Sequence, residues 1–147
     1  MILIAHRGNI NGPNPQTENT TKCIDYAIKL GYDVEIDIWY NSNKLFLGHD
    51  YPQYEIPLHY LSDRKNHLWI HCKNLEALEF FNILNDIELN YFWHENDKFT
   101  LTSKSYIWAL PGTQPVKYSI AVLPELHNES LSSCIGICSD FISKYSL

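Results

Sequence analysis

The stretch Val34-Glu35-Ile36-Asp37-Ile38 alternates apolar and acidic residues, which is the pattern of a β-strand with two different faces. Its aliphatic side chains would pack under helices, while Glu35 and Asp37 would share the other face, about 7 Å apart along the strand. Two carboxylates in a partly desolvated interior need a proton or a cation to offset their charge, and a hard divalent metal is the natural cation. An edge strand with its carboxylates in water would show the same pattern. Both interpretations fit this stretch.

Strands and helices alternate on both sides of this stretch. We predict strands at Ile2–His6, 33–40 and Leu68–Cys72, and helices at 17–30 and Leu75–Leu84. Further short strands, joined by turns, are predicted at 44–48, 91–94, 106–109, 119–123 and 135–138. Alternating strands and helices are typical of a parallel sheet. Because a full (β/α)8 barrel takes about 250 residues, we expect an α/β fold of one domain, residues 1–147: a compact, reduced TIM-barrel-like fold with short or missing helices in the C-terminal half.

Composition favours some classes of partner and location over others. The chain has 11 basic and 17 acidic residues, a formal net charge of -6, and no basic cluster. This disfavours a nucleic-acid partner, whose phosphates would require a basic face. No apolar run reaches transmembrane length and no signal peptide is visible, so a cytoplasmic location is expected.

Two histidine motifs accompany the acidic strand. His6 and Arg7 belong to the motif HRG at 6–8, which follows the first predicted strand, where parallel barrels build their active sites. Histidine can move protons near neutral pH, and arginine can clamp phosphate oxygens. His49, in the motif GHD at 48–50, is a second acid–base candidate. Phosphodiester cleavage needs two such groups, one for the nucleophile's proton and one for the leaving oxygen.

The order of these motifs resembles the N-terminal half of the glycerophosphodiester phosphodiesterases, which belong to the phospholipase-C-like phosphodiesterase barrels. The matching segments cover residues 1–50 and are HRG at 6–8, ENT at 18–20, EID at 35–37 and GHD at 48–50. The segment GICSDF at 136–141 resembles the family's final strand. The resemblance implies an enzyme, a metal-dependent phosphoric diester hydrolase that acts on a glycerophosphodiester-like or other small phosphodiester.

The resemblance also implies roles for individual residues. His6 and His49 would be the general acid–base pair, and Arg7 would contact the phosphate. Glu35 and Asp37 would bind a divalent metal, usually calcium or magnesium in this family. Glu18, in the ENT segment, is expected to hold the loop that carries His6 and Arg7.

One departure from the family concerns the third metal ligand, which relatives take from a strand that reads E-I-K. The corresponding strand here has His71 in place of the glutamate and keeps Lys73, which would bind substrate. A ligand set of Glu, Asp and His suits Mg, Ca or Mn, with Zn possible. Alternatively, His71 hydrogen-bonds Glu35 or Asp37 and no metal is present.

The sequence leaves alternatives open for the residues that form the walls of the site and for the function. Trp93 and Trp108 lie near predicted strand ends and are candidates for substrate binding, although a structural cap explains them equally well. Glu125 and Asp140 are expected to hold Lys73 or Arg7 in place. A catalytically degenerate module that binds phosphorylated ligands is the alternative to an enzyme. A structural module is a further alternative, and strand faces without helices also favour a homo-oligomer.

Overall fold

The computed structural model describes residues 1–84 and 88–145. Its helices are α1 (Thr21–Lys29), α2 (Leu58–Ser62) and α3 (Leu75–Leu84), and two 3-10 turns lie at Pro124–Leu126 and Ile142–Tyr145. Its strands are β1 (Ile2–His6), β2 (Asp33–Asn41), β3 (Lys44–Leu47), β4 (Tyr54–Ile56), β5 (Leu68–Cys72), β6 (Asn90–Phe92), β7 (Phe99–Leu101), β8 (Ile107–Ala109), β9 (Ser119–Val122) and β10 (Gly136–Ser139). None of the described helices is both long enough and apolar enough to cross a membrane.

All ten described strands belong to one curled sheet of mixed direction. Seven of them run parallel in the order β6, β5, β2, β1, β10, β9, β8. Strand β7 is antiparallel to β8, and β3 and β4 extend the end of β2 as antiparallel strands. Within residues 1–84 and 88–145 no strand ladder joins β6 to β8. The sheet is therefore a half-barrel.

The prediction of a reduced TIM-barrel-like fold is wrong, because the sheet is mixed and open and only three α-helices accompany the described strands. Two antiparallel excursions interrupt the β–α repeat. In the first, Ser42 and Asn43 have φ values of 50° and 61°, so the chain turns back as a tight hairpin where a helix would otherwise follow. In the second, β7 pairs with β8, and the segments leading to β8, β9 and β10 contain no α-helix.

The sheet separates two apolar cores. The outer core lies under the three helices and includes Val34, Ile36 and Ile38, as the alternation in β2 predicts. The inner core fills the concave face of the half-barrel and consists of Ile4, Trp69, Phe92, Trp108, Ile120, Val122 and Cys138. Because side chains alternate along strands, the residue two positions after each inner-core residue faces the same side, nearer the strand's C-terminal end. The inner core is thus a floor beneath those ends.

Strands β1 and β5 and helix α3 confirm the predictions at Ile2–His6, Leu68–Cys72 and Leu75–Leu84. The first helix is shorter than predicted: it begins at Thr21, because the side chain of Thr20 accepts a hydrogen bond from the Cys23 N–H and caps the helix. Residues 17–20 form turns instead. This difference matters because the turn carries Glu18 and Asn19 into the site.

Candidate active site

The candidate site lies at the C-terminal ends of the parallel strands, on the concave face. Strand β2 contributes Glu35 and Asp37, which are 3% and 1% exposed. Strand β5 pairs with β2 in a register that sets His71 beside Asp37. One possible ligand atom from each of these three residues lies within 4.8 Å of the others. The structure therefore brings together the three side chains that the sequence analysis assigned to a metal.

Asp37 receives more polar contacts than any other carboxylate described in the site. Its Oδ1 lies 3.0 Å from His71 Nδ1 and 3.5 Å from Lys73 Nζ. Its Oδ2 accepts a 2.9 Å hydrogen bond from the Asn19 amide and lies 3.3 Å from His49 Nδ1. Burial alone would raise the pKa of Asp37, but the hydrogen bonds from His49 and His71 and the charge of Lys73 hold it well below its usual value. Asp37 is therefore ionised.

Glu35 has fewer partners. Its Oε2 accepts a 3.2 Å hydrogen bond from the backbone N–H of Arg7, and its Oε1 lies 3.9 Å from His71 Nδ1. Burial and the neighbouring charge of Asp37 raise the pKa of Glu35. A cation would relieve both effects, because it offsets the desolvated charge and the repulsion between the carboxylates.

The charge of the whole cluster supports the same conclusion. Two cationic side chains, Arg7 and Lys73, meet four carboxylates, namely Glu18, Glu35, Asp37 and Asp140. With neutral histidines the cluster carries two excess negative charges, and with His6 protonated it carries one. Two carboxylates and one imidazole nitrogen form a donor set that divalent metals accept. The residues present therefore fit a divalent cation.

Arg7 connects the acid pair to the loops above it. Its backbone φ of 54° lies in the left-handed region and turns the chain sharply after β1. Its guanidinium donates a hydrogen bond to Glu18 Oε1 at 3.1 Å. This contact agrees with the expectation that Glu18 holds the loop that carries His6 and Arg7. The same group lies 3.2 Å from Asp37 Oδ2 and 3.1 Å from His49 Nε2. Gly8 follows, where a Cβ would come within 2.9 Å of Cys23 Sγ.

The contacts of His49 define its tautomer. Arg7 can only donate, so its 3.1 Å contact requires a lone pair on His49 Nε2. The 3.3 Å contact from His49 Nδ1 to Asp37 requires a proton on Nδ1. Lys73 Nζ, at 3.4 Å from Nδ1, is then an electrostatic neighbour and not a hydrogen-bond donor to that nitrogen. The Nε2 of His49, which accepts from Arg7 in this structure, is the ring nitrogen that carries the lone pair.

His6 is oriented by Asp140. Its Nδ1 lies 2.8 Å from Asp140 Oδ1, and its Nε2 is 3.9 Å from Glu35 Oε2. Burial lowers the pKa of His6, but the hydrogen bond to Asp140 and the charge of Glu35 outweigh burial, so the pKa lies above its usual value. Asp140 was expected to hold Lys73 or Arg7, and this expectation is wrong, because its side chain bonds His6 and the Asn9 amide.

Glu125 lies outside this network, contrary to the expectation that it holds Lys73 or Arg7. Its carboxylate accepts hydrogen bonds from the hydroxyls of Ser139, at 2.7 Å, and Tyr145, at 3.4 Å. Ser139 alternates with Asp140 and therefore points to the other face of β10. Glu125 thus contacts β10 on the face opposite the candidate site.

A cavity of about 450 Å³ opens beside these groups. His6, Arg7, Glu35, Asp37, His49, His71 and Lys73 line it, as do Trp93 and Trp108. Trp108 is 2% exposed and its ring packs 4.6 Å from Phe92 and 5.7 Å from Trp69, as part of the floor. Trp93 is partly buried and packs against the outer core. Substrate binding by the two tryptophans stays a prediction.

The sequence analysis missed His94 and Asn19. The His94 ring stacks on His71 at 4.2 Å, beside Phe92, whose ring lies 5.3 Å from His71. Burial and the neighbouring His71 lower the pKa of His94 to about 4. Strand alternation could have found His94, because residues 92 and 94 share a face with the floor. Asn19 lies within the ENT segment, but no local pattern indicates that its amide reaches Asp37.

Comparison of the chain with protein-family models, curated proteins and solved structures gives no match. Fold and site together define a half-barrel protein with a buried cluster of carboxylates and histidines at its open end.

Proposed function

We propose that this chain is a metal-dependent phosphoric diester hydrolase of the glycerophosphodiester phosphodiesterase type, acting on a glycerophosphodiester-like or other small phosphodiester. One observation carries the proposal: the acid pair has an imidazole at each end. His6 Nε2 lies 3.9 Å from Glu35, and His49 Nδ1 lies 3.3 Å from Asp37. Both imidazoles line the same cavity as the acids. This is the arrangement that acid–base catalysis on a bound phosphodiester needs.

Glu35, Asp37 and His71 would hold the cation. Mg, Ca and Mn suit the carboxylates, and Zn or Mn also suits the imidazole. When bound, a divalent cation supplies positive charge that stabilises the phosphoryl oxygens. His71 Nδ1 is the ligating nitrogen in this proposal, because it faces Asp37 at 3.0 Å and Glu35 at 3.9 Å.

The chain's own residues perform the proton transfers. As Arg7 leaves His49 to contact the phosphate, the Nε2 of His49 takes the proton of the attacking hydroxyl, either water or a neighbouring hydroxyl of the substrate, and the new O–P bond forms. The bond from phosphorus to the leaving oxygen breaks, and His6 Nε2 gives its proton to that oxygen. Asp140 orients His6 through the 2.8 Å contact to Nδ1. Arg7 and Lys73 stabilise the negative charge on the equatorial oxygens.

The test is hydrolysis of bis(4-nitrophenyl) phosphate and of glycerophosphodiesters by metal-stripped protein, with and without added Mg, Ca, Mn or Zn. We expect turnover only with metal. His6→Ala and His49→Ala should each lower kcat by about 10²–10⁴-fold, the usual contribution of a general acid or base. His59→Ala is the matched control, because His59 is exposed on α2, away from the cavity.

The alternative is a catalytically degenerate module that binds phosphorylated ligands. It is favoured by the 3.0 Å contact between His71 Nδ1 and Asp37, which occupies the nitrogen that would bind metal. Calorimetric binding of glycerol phosphate without turnover of any diester, with every metal, would establish the alternative and refute the hydrolase.

A further inference from the structure

The polarity of the strand ends around the cavity follows the order of the strands in the sheet. In six of the seven parallel strands, the residue two positions after an inner-core residue faces the concave side near the C-terminal end. In β1, β5, β6 and β10 this residue is polar, namely His6, His71, His94 and Asp140. In the paired strands β8 and β9 it is apolar, namely Leu110 and Val122. The apolar strand ends are therefore grouped at one end of the parallel series.

This end of the sheet forms an apolar wall in the same cavity that holds the acid pair. The wall, called here the apolar wall, consists of Leu110, Pro111, Val122 and Leu123. The charged and histidine side chains that line the cavity all come from residues 6–95, and its described lining from β8 onward includes none. Trp108 lies beneath the wall as part of the floor. One cavity thus combines a side that suits a phosphate with a side that suits an apolar group.

Leu123 belongs to this wall because its backbone adopts an unusual conformation. Its φ of 44° and ψ of 49° lie in the left-handed region, which is unfavourable for a bulky side chain. It is the only aliphatic residue with such a φ among residues 1–84 and 88–145. Alternation alone would place Leu123 on the face opposite Val122, yet it packs against the inner core. Its N–H donates a 2.7 Å hydrogen bond to the backbone oxygen of Cys138, which fixes this turn.

We infer that Leu110 and Leu123 form a subsite for one alcohol of the phosphodiester, and that this alcohol is an alkyl or aryl group. The inference rests on the proposed function, since the phosphate must lie on the charged side for its ester substituent to reach the apolar wall. A polyhydroxylated alcohol would leave the wall without an apolar partner, whereas an alkyl or aryl group removes it from water. The cavity, at about 450 Å³, lies in the lower part of the range of small-molecule pockets, so we expect a short alcohol.

The test measures the binding of phosphate monoesters to the full chain by isothermal titration calorimetry in the presence of Mg²⁺. Methyl, propyl and hexyl phosphate share the phosphate and differ only in the length of the alcohol. We expect Kd to fall by about 2–4-fold for each added CH₂ group, because each group leaves water for the apolar wall. Propyl phosphate should bind more tightly than glycerol 3-phosphate, which has the same number of carbons but two hydroxyls.

A substitution at Leu123 tests the location of the subsite. Leu123→Asn replaces the apolar side chain, and asparagine tolerates the left-handed backbone, so the turn is kept. This variant should bind hexyl phosphate about tenfold more weakly than the wild type and should bind methyl phosphate equally well, because the phosphate lies on the charged side. Tyr118→Asn is the matched control, since Tyr118 also has a left-handed φ, of 57°, but is 74% exposed and lies outside the cavity lining.

Three results would overturn the inference. Equal affinity of the wild type for methyl and hexyl phosphate would exclude an apolar subsite, even if the protein hydrolyses diesters. A preference for hexyl phosphate that Leu123→Asn retains would place the apolar contact elsewhere. Failure of every monoester to bind would remove the phosphate site on which the inference rests. A preference for hexyl phosphate that Leu123→Asn loses, without turnover of any diester, would instead support the subsite and refute only the hydrolase.

Discussion

The contact between His6 and Asp140 sets the proton affinity of a candidate acid, and it can be tested by itself. The Asp140 hydrogen bond and the Glu35 charge raise the His6 pKa against the effect of burial. Asp140→Asn should therefore lower the pKa of His6, as measured by NMR titration of its ring protons in metal-free protein. Asp50→Asn, at a side chain that is 82% exposed, should leave it unchanged. An unchanged His6 pKa in Asp140→Asn would refute the coupling.

The same contact makes folding stability depend on pH. The pKa of His6 is higher in the folded than in the unfolded protein. The stabilisation that His6 gives to the folded state is therefore complete below its unfolded pKa of about 6.5. It is lost as the pH rises through the folded pKa. The pKa of Asp140 is lowered, since the His6 hydrogen bond outweighs burial. The stabilisation that Asp140 gives to the folded state is present above its unfolded pKa of about 3.9. It is lost as the pH falls through the folded pKa of Asp140. Both contributions are complete only in the window between the two unfolded values.

His71 is the residue at which metal preference can be changed. Replacing its imidazole with a carboxylate adds negative charge and removes the nitrogen ligand, which favours hard cations. We expect His71→Glu to bind Mg and Ca more tightly relative to Mn and Zn than the wild type does, as measured by isothermal titration calorimetry. His59→Glu controls for the added charge. Equal preference in wild type and His71→Glu would count against ligation by His71.

At the scale of elements, the connection from β3 to β4 positions His49 through Gly48. This glycine has a φ of 149°, and a Cβ there would collide with the backbone oxygen of Tyr51. Gly48→Ala should cost about 1–3 kcal/mol in the free energy of unfolding, measured by urea denaturation, and should lower activity because His49 moves. Gly31→Ala is the control, since its φ of 91° is also left-handed but nothing lies within 4 Å of its Cβ. Equal losses in the two variants would contradict the clash.

Helices and strands whose apolar residues recur at a regular spacing could be predicted from the sequence. Elements that depend on pairing with another strand could not. Alternation or helical spacing is enough to find β1, β5 and α3. The segment 44–48 was expected as a strand, but its antiparallel return depends on the left-handed turn at Ser42 and Asn43. Strand β7 has three residues, too few to show any period, and its partner β8 lies across a turn. Helix α2, with five residues, was missed for the same reason.

At the scale of the whole molecule, the aromatic floor holds the half-barrel together. Trp108 is 2% exposed and packs on Phe92 and Trp69. Trp108→Ala should lower the free energy of unfolding by about 3–5 kcal/mol, because truncating a buried tryptophan removes contacts and leaves a cavity. Tyr118→Ala, at a side chain that is 74% exposed, should change it by less than about 0.5 kcal/mol. If Trp108→Ala has the same free energy of unfolding as the wild type but binds substrate more weakly, the ring of Trp108 serves substrate binding instead.

The residues of the site could be predicted from the sequence better than the surrounding fold could. The acids, the imidazoles and Arg7 occur in short motifs within residues 1–50, and they meet because β1 and β2 are adjacent parallel strands. Whether the sheet closes depends on later connections, which have no local signature. Two antiparallel excursions and the lack of α-helices between β8 and β10 leave the described sheet open. His94 and Asn19 reach the site only through that tertiary arrangement.

The central claim is that Glu35, Asp37 and His71 together hold a divalent cation. Anomalous X-ray diffraction from crystals soaked in Mn²⁺ tests it most directly. The account predicts one strong anomalous peak at about 2.0–2.3 Å from the side-chain oxygens of Glu35 and Asp37 and the Nδ1 of His71, and its loss in Asp37→Asn. Fully occupied Mn²⁺ elsewhere on the protein, with the 3.0 Å contact between His71 and Asp37 intact, would contradict it.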